Sequence, residues 1–567
     1  LLRRGLGLPD QQPAYAQALA QAVGRLPGPR AARAASVLHE LHGLEQSTAE
    51  LEAAARASSL ARIQRGLGTL AEIVDAPPLS AAQCRSIVYE DVASGTPGRT
   101  WDGAVLRAEA GRLALLQRLL PALDQARLER RALYELFASH FGPQGRCDDV
   151  LEFYRVFTQQ SPAQMSALMT GVGQPWAQEV FALRRRLAEH LDARLTEAPD
   201  AETLALDEGW LRDLVGSLPE PLEPWRSAAY GLQFLRGGPA GPGLVLNNVM
   251  TGHGWVFSRF CDLFEPTDAA GASLRELVRA RIGRRHQGAA QVDIVGVFGM
   301  NANLHPRLSE LELRYPGSLG SGPAPQQLSL RDVALVGDPR RRVVSAVRRR
   351  DGAPLRLVAH NFLFPAAAPN LYRFLCGLSE FINLRAGLWS TYLSATGRPF
   401  AGPRVLPRLT LGRVVLERRS WTWPTDQLPA PGGEVDWRDP LASLQAAERW
   451  RAGLGLPREG FFRFTPARSA TADGPDWQEQ MRSWALAART ARLRKPHYVC
   501  FDSVLLWSVL LKQLRSCPRG ALTFHECLPA TEEYAAGEAA EEYYVELDLR
   551  APLGPTRALD HGEDGDR

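Results

Sequence analysis

The sequence predicts an α+β protein of several subdomains, with a helical first half and a mixed, sheet-containing second half. Three observations carry this prediction. Up to residue 236 apolar residues recur at helical spacing. After Gly237-Gly-Pro-Ala-Gly-Pro-Gly243 the texture changes to short β-branched and aromatic runs, and two further Pro/Gly-rich stretches, 317–326 and 424–433, punctuate the second half.

The elements are taken in chain order. Helices are predicted near 11–25, 29–72, 104–140 and 162–197. In the last, Val180, Leu183, Leu187, Leu191 and Leu195 fall at three- or four-residue steps and line one face. One strand interrupts them at Arg85–Ala93, stopped by Ser94-Gly-Thr-Pro-Gly98. The second half predicts strands at 244–247, 292–298, 311–315, 328–336, 343–347, 355–359 and 413–417, then at 461–464, 498–501, 522–525 and 543–549. Helices near 368–389, 442–453 and 503–516 alternate with them. The expected division is a helical part over 1–236, a mixed part over 244–423, a C-terminal α/β subdomain over 434–550 and an acidic tail over 551–567.

Composition excludes several classes. Hydrophobic content of 45% and charged content of 23% are those of a soluble globular chain. The longest apolar candidate, Ser503–Leu514, carries Lys512 and falls short of the ~18 residues of a membrane span, so a soluble chain is expected. Cysteines 84, 147, 261, 376, 500, 517 and 527 are scattered without a Cys-x-x-Cys pair and read as reduced thiols, for which a cytoplasmic location is expected. His39 and His42 share a predicted helix with no further ligand nearby, so no metal is expected. Lys495 and Lys512 are the only lysines among 66 basic residues. Neither follows a glycine, which excludes a P-loop, and only these two could form a Schiff base. The arginine excess fits codon bias as well as phosphate binding. Residues 531–567 hold eleven acids and three arginines, which leaves a net +12 on the remainder. That balance admits an anionic partner such as RNA and is equally ordinary for so large a surface.

Four polar clusters stand in apolar settings. Tyr89-Glu90-Asp91 ends the early strand, where a carboxylate could hold an ammonium group or act as a base, or merely cap the following turn. From Leu246 to Phe260 a strand is expected to run into a glycine loop holding Asn247, Asn248, Thr251 and His253. Arg259, between Ser258 and Phe260, supplies a guanidinium there, for phosphate contact or for structure. In Gly299–Arg307 the alternation of Asn301, Asn303 and His305 places three polar groups on one face if the segment is extended; a ligand and a buried network explain it equally. Finally, Arg494-Lys495 steps into the strand Tyr498–Phe501, again for phosphate contact or for plain strand initiation.

These clusters, in this order, resemble the N-terminal domain of lantibiotic dehydratases, the class that includes the nisin dehydratase. The matching residues are Ile87–Asp91, Phe141-Gly142 before Val150–Phe153, Leu246–Asn248 through Ser258-Arg259-Phe260, Asn301–Pro306 with Tyr315-Pro-Gly317, and Leu330–Val333. Further matches are His360-Asn361, Pro403–Arg408 to Val414–Leu416, Gly455–Arg458, Lys495–Tyr498 and Glu526–Pro529. The resemblance covers nearly the whole chain and implies an aminoacyl-tRNA-dependent acyl transferase. Glutamate would pass from glutamyl-tRNA, the co-substrate, to Ser or Thr of a ribosomally made precursor peptide, the first step of dehydration in lantibiotic or thiopeptide-type biosynthesis. No bound cofactor is implied, because an aminoacyl-tRNA is already an activated ester. Family positions in the early strand and the Ser-Arg-Phe turn match Asp91 and Arg259, to which the resemblance gives catalytic roles. Asn247, Asn248, His253, Asn301, Asn303, His305, Arg494 and Lys495 are the expected substrate- or tRNA-binding residues.

The opening Leu1–Pro9 looks like the last strand of the family's leader-binding element. The resemblance therefore implies further active-site residues upstream and an elimination domain downstream, absent from this chain or supplied by partners. As partners it implies a precursor peptide, a charged tRNA, and a separate elimination-domain protein or cyclase, and it leaves room for a homodimer. Two alternatives remain open. One is an enzyme like the peptide aminoacyl-tRNA ligases, which add an amino acid to a carrier peptide's C-terminus; the other is a non-catalytic scaffold that binds a peptide or partner.

Overall fold

The computed structural model describes residues 15–48, 50–78, 103–218, 227–236, 242–263, 271–285, 288–296, 305–316, 318, 323–362, 370–379, 387–397, 402–431, 435–466, 495–515, 519–535 and 542–549. Its strands in chain order are β1 Arg146–Cys147, β2 Thr203–Ala205, β3 Ser227–Leu235, β4 Gly243–Thr251, β5 Ala290–Ile294, β6 Leu311–Arg314, β7 Gln327–Ser329, β8 Val333–Asp338 and β9 Val343–Arg348. They continue with β10 Pro354–Val358, β11 Arg404–Leu406, β12 Arg408–Leu411, β13 Val414–Glu417, β14 Ser420–Pro424, β15 Glu459–Pro466, β16 His497–Cys500, β17 Gly520–Glu526 and β18 Tyr543–Asp548. The chain is α+β, as expected.

Helices Tyr15–Gly24, Pro29–Thr48 and Ala53–Ile73 bury Ala20, Val23, Leu38 and Ile73 against one another. The expected helix 29–72 is two helices, joined by a buried hydrogen bond of 2.6 Å between Thr48 and Ser59. The expected helix 104–140 likewise divides, into Ala104–Leu123 and Gln125–Phe141. Asp124 separates them in an extended conformation and accepts from the Ala126 N–H, which caps the second helix.

Three sheets carry the rest. The seven-stranded sheet has the order β1-β8-β9-β10-β5-β6-β7, with β10, β5, β6 and β7 successively parallel. Helices Gln125–Phe141, Val150–Thr158 and Asn370–Gly377 meet it through Phe137, Phe153 and Phe374, whose rings stack edge to face. The six-stranded sheet runs β18-β3-β4-β13-β12-β2 and buries Tyr230, Leu232, Leu244 and Leu411 against helices Ala104–Leu123, Gln178–Glu197 and Leu388–Thr396. The five-stranded sheet, β11-β14-β17-β15-β16, packs Trp421, Phe462 and Phe524 on helices Pro440–Gly453 and Val504–Arg515.

The sheets redraw the expected divisions. β3 ends at Leu235 and β4 begins at Gly243, and the two pair antiparallel from Ala228↔Thr251 to Leu235↔Gly243, so the expected boundary falls between two paired strands. The six-stranded sheet draws β2 and β3 from the expected helical part, β4, β12 and β13 from the mixed part, and β18 from the C-terminal part. The five-stranded sheet already begins at β11, ahead of the expected start at 434. Expected helix 368–389 is described as two, Asn370–Gly377 and Leu388–Thr396. The early strand at 85–93 and the tail 551–567 lie outside the described residues.

One buried ion cluster locks the helical part onto the sheet. Glu109, fully buried in helix Ala104–Leu123, accepts from Arg112 at 2.8 Å and from Arg413, at the β12–β13 turn, at 2.9 Å. Arg112 reaches on to Glu208 at 2.8 Å.

Candidate functional site

β4 ends in a strained turn. His253 has φ 60° and the following Gly254 φ 77°, two successive left-handed residues. A non-glycine residue in this region costs about 1–2 kcal/mol, so the turn must be held from outside. A Cβ on Gly252 would lie 1.8 Å from Ser227 Oγ, and one on Gly254 2.5 Å from Val278 Cγ1, which is why glycine flanks the buried His253. The holding groups come from far along the chain. The His253 N–H donates to Ser227 Oγ at 3.0 Å, and Ser227 Oγ donates to Glu546 at 3.1 Å. The Gly254 N–H donates to the second Glu546 oxygen at 2.9 Å. Arg281 adds a hydrogen bond of 2.6 Å to the Glu546 carbonyl and one of 2.9 Å to Asp548.

The short helix Trp255–Ser258 comes next and is pinned at its far side. Trp255 Nε1 donates to the Asn361 carbonyl at 3.0 Å, and Ser258 Oγ to the His360 carbonyl at 2.6 Å. Arg259 succeeds it, half-buried, its guanidinium 5.8 Å from the Phe260 ring centroid. His360 and Asn361 lie just beyond the carboxyl end of β10, beside the carboxyl end of its parallel neighbour β5. That edge is where ligands gather in open α/β sheets.

Beneath the helix lies a buried polar network. Asp293 accepts from the His360 N–H at 3.1 Å, and its other oxygen is 3.4 Å from His305 Nε2, both side chains being 2% exposed. His360 Nε2 is 3.0 Å from Ser309 Oγ, which donates to Gln291 at 3.1 Å. Asn361 donates to the Ile294 carbonyl and accepts from Tyr372 OH at 2.8 Å. Burial raises the Asp293 pKa, against the opposing pull of His305 and the His360 N–H.

Of the expected site residues, His253 and Arg259 flank the Trp255–Ser258 helix, and His305 is linked to it through Asp293 and the His360 backbone. The fold does not add the asparagines. Asn247 and Asn248 are expected in the glycine loop, but β4 continues to Thr251 and both stand within the strand. There Asn247 donates to Gln233 and Glu542 at 3.1 and 2.8 Å and accepts from Arg418 at 2.7 Å, while Asn248 meets Tyr544 OH at 3.5 Å. Lys495 is exposed ahead of β16, a separate place in the five-stranded sheet. Asp91, Asn301, Asn303 and Arg494 lie outside the described residues. Ser227, Arg281, Asp293, Ser309 and Glu546 carry no signal in the sequence that marks them for the site. Among the described residues no group of three or more His, Cys, Asp or Glu is arranged to hold a metal, and no helix is long and apolar enough to cross a membrane.

Residues 4–461 match the family model of the lantibiotic dehydratase N terminus. The chain belongs to that family. No curated protein matches the chain. Among solved structures it is similar to the glutamylation domain TbtB from thiomuracin biosynthesis, bound to 5'-phosphodesmethylglutamycin, with TM-score 0.62 and 21% identity over 91% of this chain and 57% of that one. A second structure of the glutamylation domain TbtB from thiomuracin biosynthesis matches with TM-score 0.62 and 21% identity over 92% of this chain and 58% of that one. The tRNA-dependent lantibiotic dehydratase MibB from Microbispora sp. 107891 matches with TM-score 0.57 and 17% identity over 96% of this chain and 48% of that one. The chain therefore spans about half the length of these relatives, and at such identities they establish the shared fold.

Proposed function

We propose that this dehydratase N-terminal domain transfers glutamate from glutamyl-tRNA to Ser or Thr side chains of a ribosomally made precursor peptide. The observation that carries the reading is family membership over 4–461 joined to a fold like that of a glutamylation domain. In the proposed step the peptide hydroxyl attacks the glutamyl ester carbonyl. A new ester forms, the bond to the tRNA ribose breaks, and the hydroxyl proton passes to the departing ribose oxygen.

Each residue has a role in that step. Arg259, which follows the helix anchored on the His360 and Asn361 carbonyls, stabilises the oxyanion of the tetrahedral intermediate with its guanidinium. Asp91 orients the glutamate ammonium group. His253 and His305, both buried, support the site from within the scaffold, and Arg494 and Lys495 contact tRNA phosphate. The test incubates the protein with charged tRNA and precursor peptide and reads the mass gained per Ser or Thr by fragmentation. Arg259→Ala and Asp91→Ala are expected to abolish the gain; near-normal transfer in both variants overturns the assignment. Mass added at the peptide's C-terminus instead would identify a carrier-peptide ligase.

A further inference from the structure

The turn that sets Arg259 is held by a residue from the last strand. A four-residue helix cannot hold itself, because nucleating helix costs more than so few hydrogen bonds return. The direction of Trp255–Ser258, and of Arg259 after it, is therefore set by its anchors. Downstream these are the His360 and Asn361 carbonyls. Upstream the anchor is the Glu546 carboxylate, whose side chain is 1% exposed. It accepts from Gly254 directly at 2.9 Å and, through Ser227 at 3.1 Å, also supports the His253 N–H. Arg281 lies 3.8 Å from the same carboxylate and grips the strand at the Glu546 carbonyl and at Asp548.

We propose that Glu546 is a positioning residue for the transfer reaction, acting through Gly254 on the left-handed turn that fixes Arg259. The last described strand is then more than an edge of the six-stranded sheet: it completes the support of the candidate site across 292 residues of sequence. This inference rests on the proposed role of Arg259.

The test uses the whole chain with Glu546→Gln, Glu546→Ala, Asp548→Asn and Arg259→Ala, each checked for native circular dichroism. Hydrogen exchange of the 252–260 peptide and the kcat and KM of glutamyl transfer are read together. Glu546→Ala is expected to speed exchange at 252–260 and to lower kcat more than about tenfold while KM for the precursor stays within about twofold, since misplacing a transition-state group costs rate before it costs binding. Glu546→Gln keeps an acceptor for Gly254 and is expected to fall between that variant and the parent. Asp548→Asn, which weakens Arg281's grip on the strand but leaves the Glu546–Gly254 bond in place, is expected to lower kcat less than Glu546→Ala does. Unaltered exchange at 252–260 in Glu546→Ala overturns the inference. So does an unchanged kcat in that variant when Arg259→Ala is inactive. Full activity of Arg259→Ala instead refutes the functional reading, and the exchange data then decide the positioning alone.

Discussion

Substituting Gly254 by Ala perturbs the candidate site through two separable terms. The first is backbone strain: at φ 77° an L-residue costs about 1–2 kcal/mol. The second is a collision, because the new Cβ would stand 2.5 Å from Val278 Cγ1 and 3.4 Å from Ile282 Cδ1. Both neighbours are buried on helix Leu274–Arg285 with Cys261 and Leu308, so relief means shifting that helix, an overpacking cost of about 1–3 kcal/mol. Together the variant is expected to lose about 2–5 kcal/mol of local stability. Val278→Ala removes the struck methyl at its own cost of about 2 kcal/mol. The double variant should then recover the collision term and keep the strain and the cost of the lost Val278 packing, a coupling of about 1–3 kcal/mol. Native-state hydrogen exchange on peptides covering 250–262 and 274–285 reads local opening free energies directly and does not require the whole chain to unfold in one step. Additive losses, with coupling below about 0.5 kcal/mol, refute the steric account.

Other outcomes rest on the charged contacts. Burial alone would raise the Glu109 pKa, but hydrogen bonds from Arg112 and Arg413 and the charge of Arg112 hold it below the ordinary 4.5. A carboxyl depressed in the fold stabilises above its unfolded value and loses that contribution as pH falls further; thermal midpoints of Glu109→Gln should therefore start lower at pH 7 and fall less steeply below about pH 4.5 than the parent's. His525 has the same sign of pH dependence, in a higher window. Burial, with Arg463 and Arg418 adding to it, lowers its pKa from 6.5 to about 4. Between those values only the unfolded chain takes the proton, so the native state weakens with acid, and His525→Gln should flatten the midpoint profile across that window. Arg408 forks onto Glu526 with bonds of 2.8 and 2.7 Å and ties β12 of the six-stranded sheet to β17 of the five-stranded one. Arg408→Lys loses the fork and should cost about 1–2 kcal/mol in denaturant titration, whereas Arg30→Lys at the exposed Asp75 pair should cost about 0.5 kcal/mol or less.

What is legible in the sequence is local. Strands rich in β-branched and aromatic residues can be read close to their ends, as at β9, β10, β13, β16 and β18, because that preference is written into neighbouring residues. β3 escapes for the converse reason: Ser227–Leu235 is buried almost throughout, and its small apolar residues carry no alternation to separate a strand from a buried helix. That single miss places a boundary between two paired strands and hides the sheet common to all three expected parts. The site shows the same limit more sharply. Gly252, Gly254 and Arg259 stand in one stretch, legible as a glycine turn with a guanidinium. The group that holds the turn has no such signal. In β18, Val545 and Leu547 pack toward the core under the six-stranded sheet, so alternation assigns Glu546 to the opposite, solvent-facing side. Yet Glu546 is the most buried residue of the strand, because the 252–254 turn and Arg281 cover that side. An acid on the outer face of an edge strand becomes interior only when a second element, remote in sequence, closes over it. Polar groups recruited in this way must be hydrogen-bonded once buried. The Glu546 carboxylate meets that demand with donors the left-handed turn leaves over, directly at Gly254 and through Ser227 at His253. The strain in the turn and the anomaly in the strand are therefore two halves of one constraint, visible only after both are placed.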